Sequence, residues 1–294
     1  MTFLHRRTVL RAAAGGALAG AGAVGCGRSD GDEVRAADPS ARAPAPSAPA
    51  SAPSPAPPRS HAPSPRPSPP APRFPALVGP VAPGVSALPP LPPLLPAQIE
   101  YGPRKGSAVA LTFHGQGDPK GVAALLAEVE RAGARVTVLA VGSWLDAEPR
   151  MARRVLDGGH ELGNHTMRHL DICAMGERAA TAEIVQCAER LRRLTGGIGR
   201  WFRPSRARLA TERVVRLARQ AGYPHVLSYD VDSLDHTDPG AEVVRRTVLG
   251  AVRPGSVVSL HFGHAGTVAA LPAILDGLHR RGLRAVTTTE LLTR

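Results

Sequence analysis

The stretch VALTFHGQGDPKGVAALLAEVERAGARVTVLAV, residues 109–141, decides the fold. Val109–Phe113 and Val136–Val141 are short, continuous apolar runs of the kind that form strands buried on both faces. Between them Val122, Leu125, Leu126 and Val129 recur at i, i+3, i+4 and i+7, the stripe of an amphipathic helix. A strand, a helix and a second strand in so short a span predict a parallel sheet covered by helices.

The unit repeats towards the C-terminus. Ile184, Cys187, Ala188 and Leu191 mark one helix; Val214, Leu217 and Ala218 mark another, capped by Thr211 and closed by Gly222. Val226–Tyr229 reads as a strand leading to a helix with Asp238 as N-cap and Pro239 in its first turn. Val257–Leu260 is a further strand, and Leu271, Ile274, Leu275 and Leu278 define a last long helix. Residues 99–294 are thus expected to form one α/β domain, its parallel sheet open or closed into a barrel, with chemistry at the carboxyl ends of the strands.

Polar residues fall at those ends. His114 follows the first strand, His165 and His169 the third, Arg203 a fourth, Asp230 and Asp232 the next, and His261 the one after. His165 and His169, in the segment GGHELGNHTMRH of residues 158–169, are four positions apart and can reach one divalent cation, although such a pair also arises as incidental polar spacing. Asp118 has two readings, an N-cap followed by a first-turn proline, or a carboxylate returned to a metal by the flexible Gly-Gln-Gly turn before it.

Before the domain the composition changes. Residues 1–25 read as an export signal: His5-Arg6-Arg7-Thr8-Val9-Leu10 looks like a twin-arginine motif, and the Ala/Gly-rich stretch after it is short of the about 20 residues a membrane span needs. It ends in Ala23-Val24-Gly25-Cys26, which resembles a lipobox, so Cys26 is expected to carry lipid and hold the chain on the outer face of a cell membrane; plain secretion is the alternative. Residues 26–98 form a Pro/Ala/Ser linker holding most of the 30 prolines, expected to be a disordered tether. The net charge of +12 could point to nucleic acid, but no helix-turn-helix, zinc-finger spacing or aromatic-interleaved basic patch accompanies it; an anionic cell-wall polymer suits it better. Cys173 and Cys187 can form a disulfide in an oxidising compartment or stay as two reduced thiols.

The order of these segments resembles the polysaccharide deacetylase family, the carbohydrate esterases with a NodB homology domain, over roughly residues 105–290. The family's Thr-Phe-Asp-Asp-Gly is matched in part by Thr112-Phe113-His114-Gly115-Gln116, and its His-Ser/Thr-x-x-His fully by His165-Thr166-Met167-Arg168-His169. Arg-Pro-Pro-Tyr/Phe appears as Arg203-Pro204-Ser205-Arg206, Asp-x-x-x-Trp as Asp232-Ser233-Leu234-Asp235-His236, and Leu-x-His as Ser259-Leu260-His261. The resemblance implies a distorted (β/α) barrel, often seven-stranded, holding one divalent metal ion, zinc or similar. It implies removal of acetyl groups from an N-acetylated glycan such as peptidoglycan or chito-oligosaccharide. His165 and His169 would ligate the metal, His261 would protonate the departing amine, Asp232 would hold the His261 ring, and Arg203 would orient groups. The family's first Asp acts as base and its second as third ligand, and here His114 and Gly115 stand there. His114, Asp118 or His264 could supply the missing ligand, and His114 could alternatively serve as base. A glycan-binding lipoprotein with impaired catalysis is the competing expectation.

Overall fold

The computed structural model describes residues 89–294. The signal segment, Cys26 and most of the linker lie outside the described residues. In chain order the elements are β1 (Gln98–Ile99), β2 (Ala108–Gly115), α1 (Pro119–Arg131), β3 (Thr137–Ala140), α2 (Gly142–Ala147), α3 (Arg150–Asp157) and β4 (Glu161–Asn164). There follow α4 (Glu177–Thr195), α5 (Glu212–Gln220), β5 (Val226–Leu227), β6 (Val231–Asp232), a 3₁₀ turn (Asp235–Thr237), α6 (Ala241–Ala251), β7 (Val257–His261), α7 (Ala265–Arg280), β8 (Arg284–Val286) and α8 (Thr288–Thr293).

All strand pairs are parallel. Six strands run in the order β4-β3-β2-β7-β6 with β8 beside the start of β2, and β1 pairs with β5. Single bridges from Phe202 to Asn164 and to Val226 join β4 to β5. The described residues thus hold eight strands rather than seven, several of only two residues, in the distorted α/β barrel arrangement that the family resemblance implies.

Strand alternation places the site. Val109, Leu111 and Phe113 of β2 join the core beneath the helices, together with Val138 and Ala140 of β3 and Val258 and Leu260 of β7. Ala110, Leu139 and Val257 face the other way, into a second cluster with Trp201 and Leu227. With a side-chain period of two, His114 and His261 continue the inner row, and the register pairs them directly. Gly115 continues the outer row, where a Cβ would lie 2.9 Å from Ala140 Cα and 2.9 Å from Val138 Cγ1.

α1 buries Val122, Leu125, Leu126 and Val129, each contributing roughly 1.5–3 kcal/mol by leaving water. Its start corrects one expectation: Asp118 is the N-cap, its Oδ2 accepting from Gly121 N at 2.8 Å, so its carboxylate serves the helix and is not a metal ligand. Asp238 is likewise not the N-cap of α6, which begins after Gly240; it ends the 3₁₀ turn in a left-handed conformation. Asp230 turns away from the strand ends, accepting from Val257 N at 2.8 Å and pairing with Arg104 at 2.8 Å. Of the two readings for Cys173 and Cys187 the structure has the reduced one: both are free, Cys187 buried against Ala140 O with its thiol pushed up to about 12 by burial, and Cys173 facing Leu209 O.

Candidate active site

The loop after β4 carries the two histidines in a backbone few residues adopt. Thr166 (φ 67°) and His169 (φ 56°) are left-handed, a genuine outlier for β-branched threonine. Side chains from three elements over-determine that shape. Asn164 Oδ1 accepts from Thr166 N at 2.9 Å, and its amide is held by Ile184 O and Tyr223 Oη. Thr166 Oγ1 bonds to Ser205 Oγ at 3.0 Å and accepts from His169 N at 3.2 Å. The fully buried Glu183 of α4 accepts from Arg168 N and Arg168 Nε, each at 2.7 Å.

This scaffold brings His114, His165 and His169 together, one ring nitrogen from each lying within 4.8 Å of the others. His165 Nδ1 donates to Arg203 O at 3.0 Å, which fixes the tautomer and leaves the Nε2 lone pair free. That Nε2 faces His169 Nε2 at 3.1 Å. Two imidazole nitrogens on one tetrahedral zinc ion stand about 3.3 Å apart, so this pair already has the spacing of a shared cation. His114 Nε2 lies 3.0 Å from Ser259 Oγ and 3.3 Å from Arg203 Nη1, while its Nδ1 is buried with no hydrogen-bond partner. An orphaned buried nitrogen costs about 1–3 kcal/mol, which a cation would offset. Burial first, then the neighbouring imidazoles and Arg203, hold His114 well below the usual histidine range. His165 is lowered in the same way, by burial and then by His169; His169 is lowered by burial and then by the charge of Arg206. All three are neutral near pH 7, as metal ligands must be. Three nitrogen donors, neutral and converging, fit a divalent ion of the zinc type, with His114 closing by up to about 1.5 Å.

Beside the cluster, His261 has a different kind of neighbour. Its Nδ1 and backbone N each contact Asp235, at 2.7 Å from Oδ1 and 2.7 Å from Oδ2, and Thr267 Oγ1 donates to Oδ2 at 2.6 Å. Burial works to raise the Asp235 carboxyl, but the hydrogen bonds and charge of His261 and the Thr267 hydroxyl outweigh it and leave it lowered, hence ionised. Asp235, not the expected Asp232, is therefore the carboxylate that holds the His261 ring. Asp232 instead closes its own turn, accepting from Leu234 N at 3.0 Å, and faces Tyr229 Oη at 3.5 Å. The sequence signal was the second acid of Asp-Ser-Leu-Asp, three residues on.

Arg203 is fully buried although it lies just past the bridging residue Phe202 rather than in a strand. Nε donates to Leu227 O at 3.1 Å and Nη2 to Ser228 O at 2.9 Å, which aims Nη1 at His114. Burial draws the guanidinium down to about 10, still cationic at neutral pH. His264 does not join the metal cluster; its Nδ1 pairs with Asp238 at 2.8 Å on the rim. His236 is exposed, its ring 5.2 Å from that of His261. His114, His169, His261, Asp232 and His236 line one cleft of about 420 Å³, with His165 buried behind them. Ser259, a departure from the family's leucine, bonds another departure, His114.

Comparison with known proteins gives the family and the fold. The sequence profile described as Polysaccharide deacetylase matches residues 101–226. A peptidoglycan-N-acetylglucosamine deacetylase of Bacillus cereus is 31% identical over 200 residues, covering 65% of this chain and 90% of the relative. A chitooligosaccharide deacetylase of Sinorhizobium fredii is 29% identical over 213 residues, covering 63% and 94%. Among solved structures, a CE4 family pseudoenzyme from Bacillus anthracis is similar in fold, with a TM-score of 0.64 at 24% identity, covering 68% of this chain and 70% of that one. The motif order, the barrel and a relative matched along 90% of its length together mean that the chain belongs to the polysaccharide deacetylase family.

Proposed function

We propose that this protein is a metal-dependent hydrolase that removes acetyl groups from an N-acetylated glycan of the cell wall, with peptidoglycan and chito-oligosaccharide as the substrate types its relatives suggest. The observation that carries the reading is the convergence of His114, His165 and His169 beside the His261–Asp235 pair in one cleft. His165, His169 and His114 would hold one divalent ion, which when bound supplies a polarising charge for the acetyl carbonyl and an acidified water.

The remaining work falls to the chain's own groups. The Asp235 carboxylate keeps the proton of His261 on Nδ1 and presents Nε2 to the cleft. Nε2 can then take a proton from the attacking water and pass it to the departing amine, so one imidazole serves both halves of the reaction. Ser259 Oγ can accept Nε2–H of His114, leaving Nδ1 as the ligating atom and His114 as a ligand rather than a base; in that tautomer Arg203 Nη1, 3.3 Å from the same nitrogen and able only to donate, makes no hydrogen bond to the ring. Arg203, held by the carbonyls of Leu227 and Ser228, keeps an added positive charge near the developing oxyanion.

One observation favours a second reading. No carboxylate stands in the histidine cluster, and Gly115 offers no ligand atom where the family carries an acid. A protein that binds glycan without turning it over is the corresponding alternative. Metal analysis of the purified chain, beside acetate release from peptidoglycan and chito-oligosaccharides, separates the two. Stoichiometric zinc with acetate release supports the hydrolase; glycan binding with neither supports the alternative. The same proposal includes export by a twin-arginine-type signal and anchoring through lipidated Cys26, which globomycin-sensitive processing and [³H]palmitate labelling would test.

A further inference from the structure

The charges around the cleft mouth are nearly all paired within the protein. Arg208 Nη2 contacts Glu100 at 2.6 Å and its Nε donates to Tyr229 O at 3.2 Å; His264 is paired with Asp238. Asp232 is engaged by Leu234 N and lies towards Tyr229. Arg206 is different: it is exposed, lines the cleft with His114, His169 and His261, and has no ion pair or side-chain hydrogen bond among the described residues. Its backbone is left-handed (φ 56°), a strained conformation for a residue with a Cβ. The preceding Ser205 is tied to Thr166 Oγ1 and Leu170 O, so the histidine loop fixes where Arg206 starts.

Arg206 also stands where the family motif carries an aromatic ring. An aromatic ring offers a sugar a stacking face; a guanidinium offers a planar fork of donors that matches a carboxylate. Deeper in, the Arg203 guanidinium is held by backbone carbonyls, so the interior wall is cationic as well. The surrounding domain adds to that field, with 27 basic against 20 acidic side chains over residues 100–294.

We infer that the glycan taken by this site carries a carboxylate next to its acetamido sugar, and that Arg206 recognises it. The inference rests on the hydrolase reading above and narrows its substrate class. The carboxylate can sit on the acetamido ring itself, as a lactyl ether, or on a neighbouring uronic acid. Asp232 repels an anion on the Tyr229 side, which leaves the Arg206–His169 side for it.

Binding of four tetrasaccharides to the zinc-supplemented full chain, measured by titration calorimetry, tests this. They are neutral chitotetraose, the alternating N-acetylglucosamine–N-acetylmuramic acid oligomer, the methyl ester of that oligomer, and the N-acetylglucosamine–glucuronic acid oligomer. At least one free acid should bind about tenfold tighter than chitotetraose, the size expected of one charge-assisted contact. The gap should narrow with added salt. Arg206→Gln should abolish it and Arg206→Lys should keep part of it, and the tighter of the two acids identifies the source. If the muramic oligomer is the tighter acid, an ester that binds as well as it overturns the inference; for either acid, a preference that survives in Arg206→Gln does so, as does no free acid binding tighter than chitotetraose, or no binding of any of the four. Acetate release is scored separately. Acetate without a carboxylate preference sinks only this inference, whereas the preference without acetate sinks only the hydrolase reading.

Discussion

Restoring the family's acid at position 115 should damage this protein rather than improve it. Gly115 continues the outer row of β2, and a Cβ there would lie 2.9 Å from Ala140 Cα, 2.9 Å from Val138 Cγ1 and 3.1 Å from Leu139 O. Two of those atoms belong to the β3 backbone, which the Gly115↔Ala140 register and the Val141 N to Gly115 O bond hold in place. Contacts of that length are about 0.5 Å or more inside normal van der Waals separation, so β3 has to move. Overpacking of this kind costs about 1–3 kcal/mol, which in a domain of this size lowers Tm by roughly 2–12 °C for Gly115→Ala. Gly115→Asp adds a carboxylate aimed at the apolar layer of Val138 and Ala140 and should cost more. Thermal melts with and without zinc, alongside zinc affinity, make the check. If Gly115→Asp melts within a degree of the parent and binds zinc more tightly, the register-based placement of residue 115 is wrong and an acid there reaches the cluster.

Three further outcomes follow from the same geometry. Asp235→Asn places an NH₂ against His261 Nδ1 or against its backbone N–H, and loss of a hydrogen bond to a charged group, about 1.5–3 kcal/mol, should lower kcat about 10- to 150-fold with KM little changed; an unchanged kcat would remove Asp235 from the mechanism. His114→Ala should weaken zinc binding, measured by competition with a chromophoric chelator, by more than the about 10- to 100-fold typical of losing an outer-shell partner, and Ser259→Ala should fall within that range; equal affinities would return His114 to the role of base. The metal-free chain should lose stability in mild acid: His114 and His165 are held below the histidine range while the unfolded chain protonates near 6.5, so stability is complete above that pH. It then falls as pH drops towards the lowered folded values, by up to about 1.4 kcal/mol per pH unit for each imidazole, and urea melts between pH 7.5 and 5.5 that show no change would contradict the burial of these rings.

Local signals carried much of this molecule. The stripe Val122, Leu125, Leu126 and Val129 and the caps at Asp118 and Thr211 depend on neighbours in sequence, and α1 and α5 form where those signals put them. The histidines at strand ends were legible for the same reason, since a strand's period of two fixes which residue leaves the sheet on the inner face. What could not be read depends on tertiary distance. Asp232 and Asp235 stand in one turn-forming segment, and the choice between them rests on the left-handed Leu234 (φ 56°) and on how far β6 lies from β7. Arg203 follows a single bridge that no strand pattern announces. Glu183, on the buried face of α4, looks like an isolated charge in an apolar stripe until Arg168 is seen beside it. Cys173 and Cys187 share a region of sequence, yet one thiol faces Leu209 and the other Ala140.

Three of the departures from the family motifs, at 114, 115 and 259, are best understood as one change. Gly115 allows β2 and β3 to approach until no side chain fits between them, which removes the ligand position on that row. His114, one residue earlier on the inner row, offers a nitrogen on the same side as His165 and His169, and its register partner is His261. A ring in that place needs its far nitrogen satisfied. A leucine at 259 could not do that, whereas the Ser259 hydroxyl lies 3.0 Å away. Exchanging an anionic donor for a neutral one also leaves Arg203 and any bound cation without a compensating carboxylate in the cluster, so the whole interior of the cleft becomes more positive. Random decay of an abandoned active site would not be expected to substitute a donor, orient it through a new hydroxyl and keep the Asp235–His261–Thr267 arrangement intact. That coupling is the strongest physical reason to regard the altered motif as a rebuilt site.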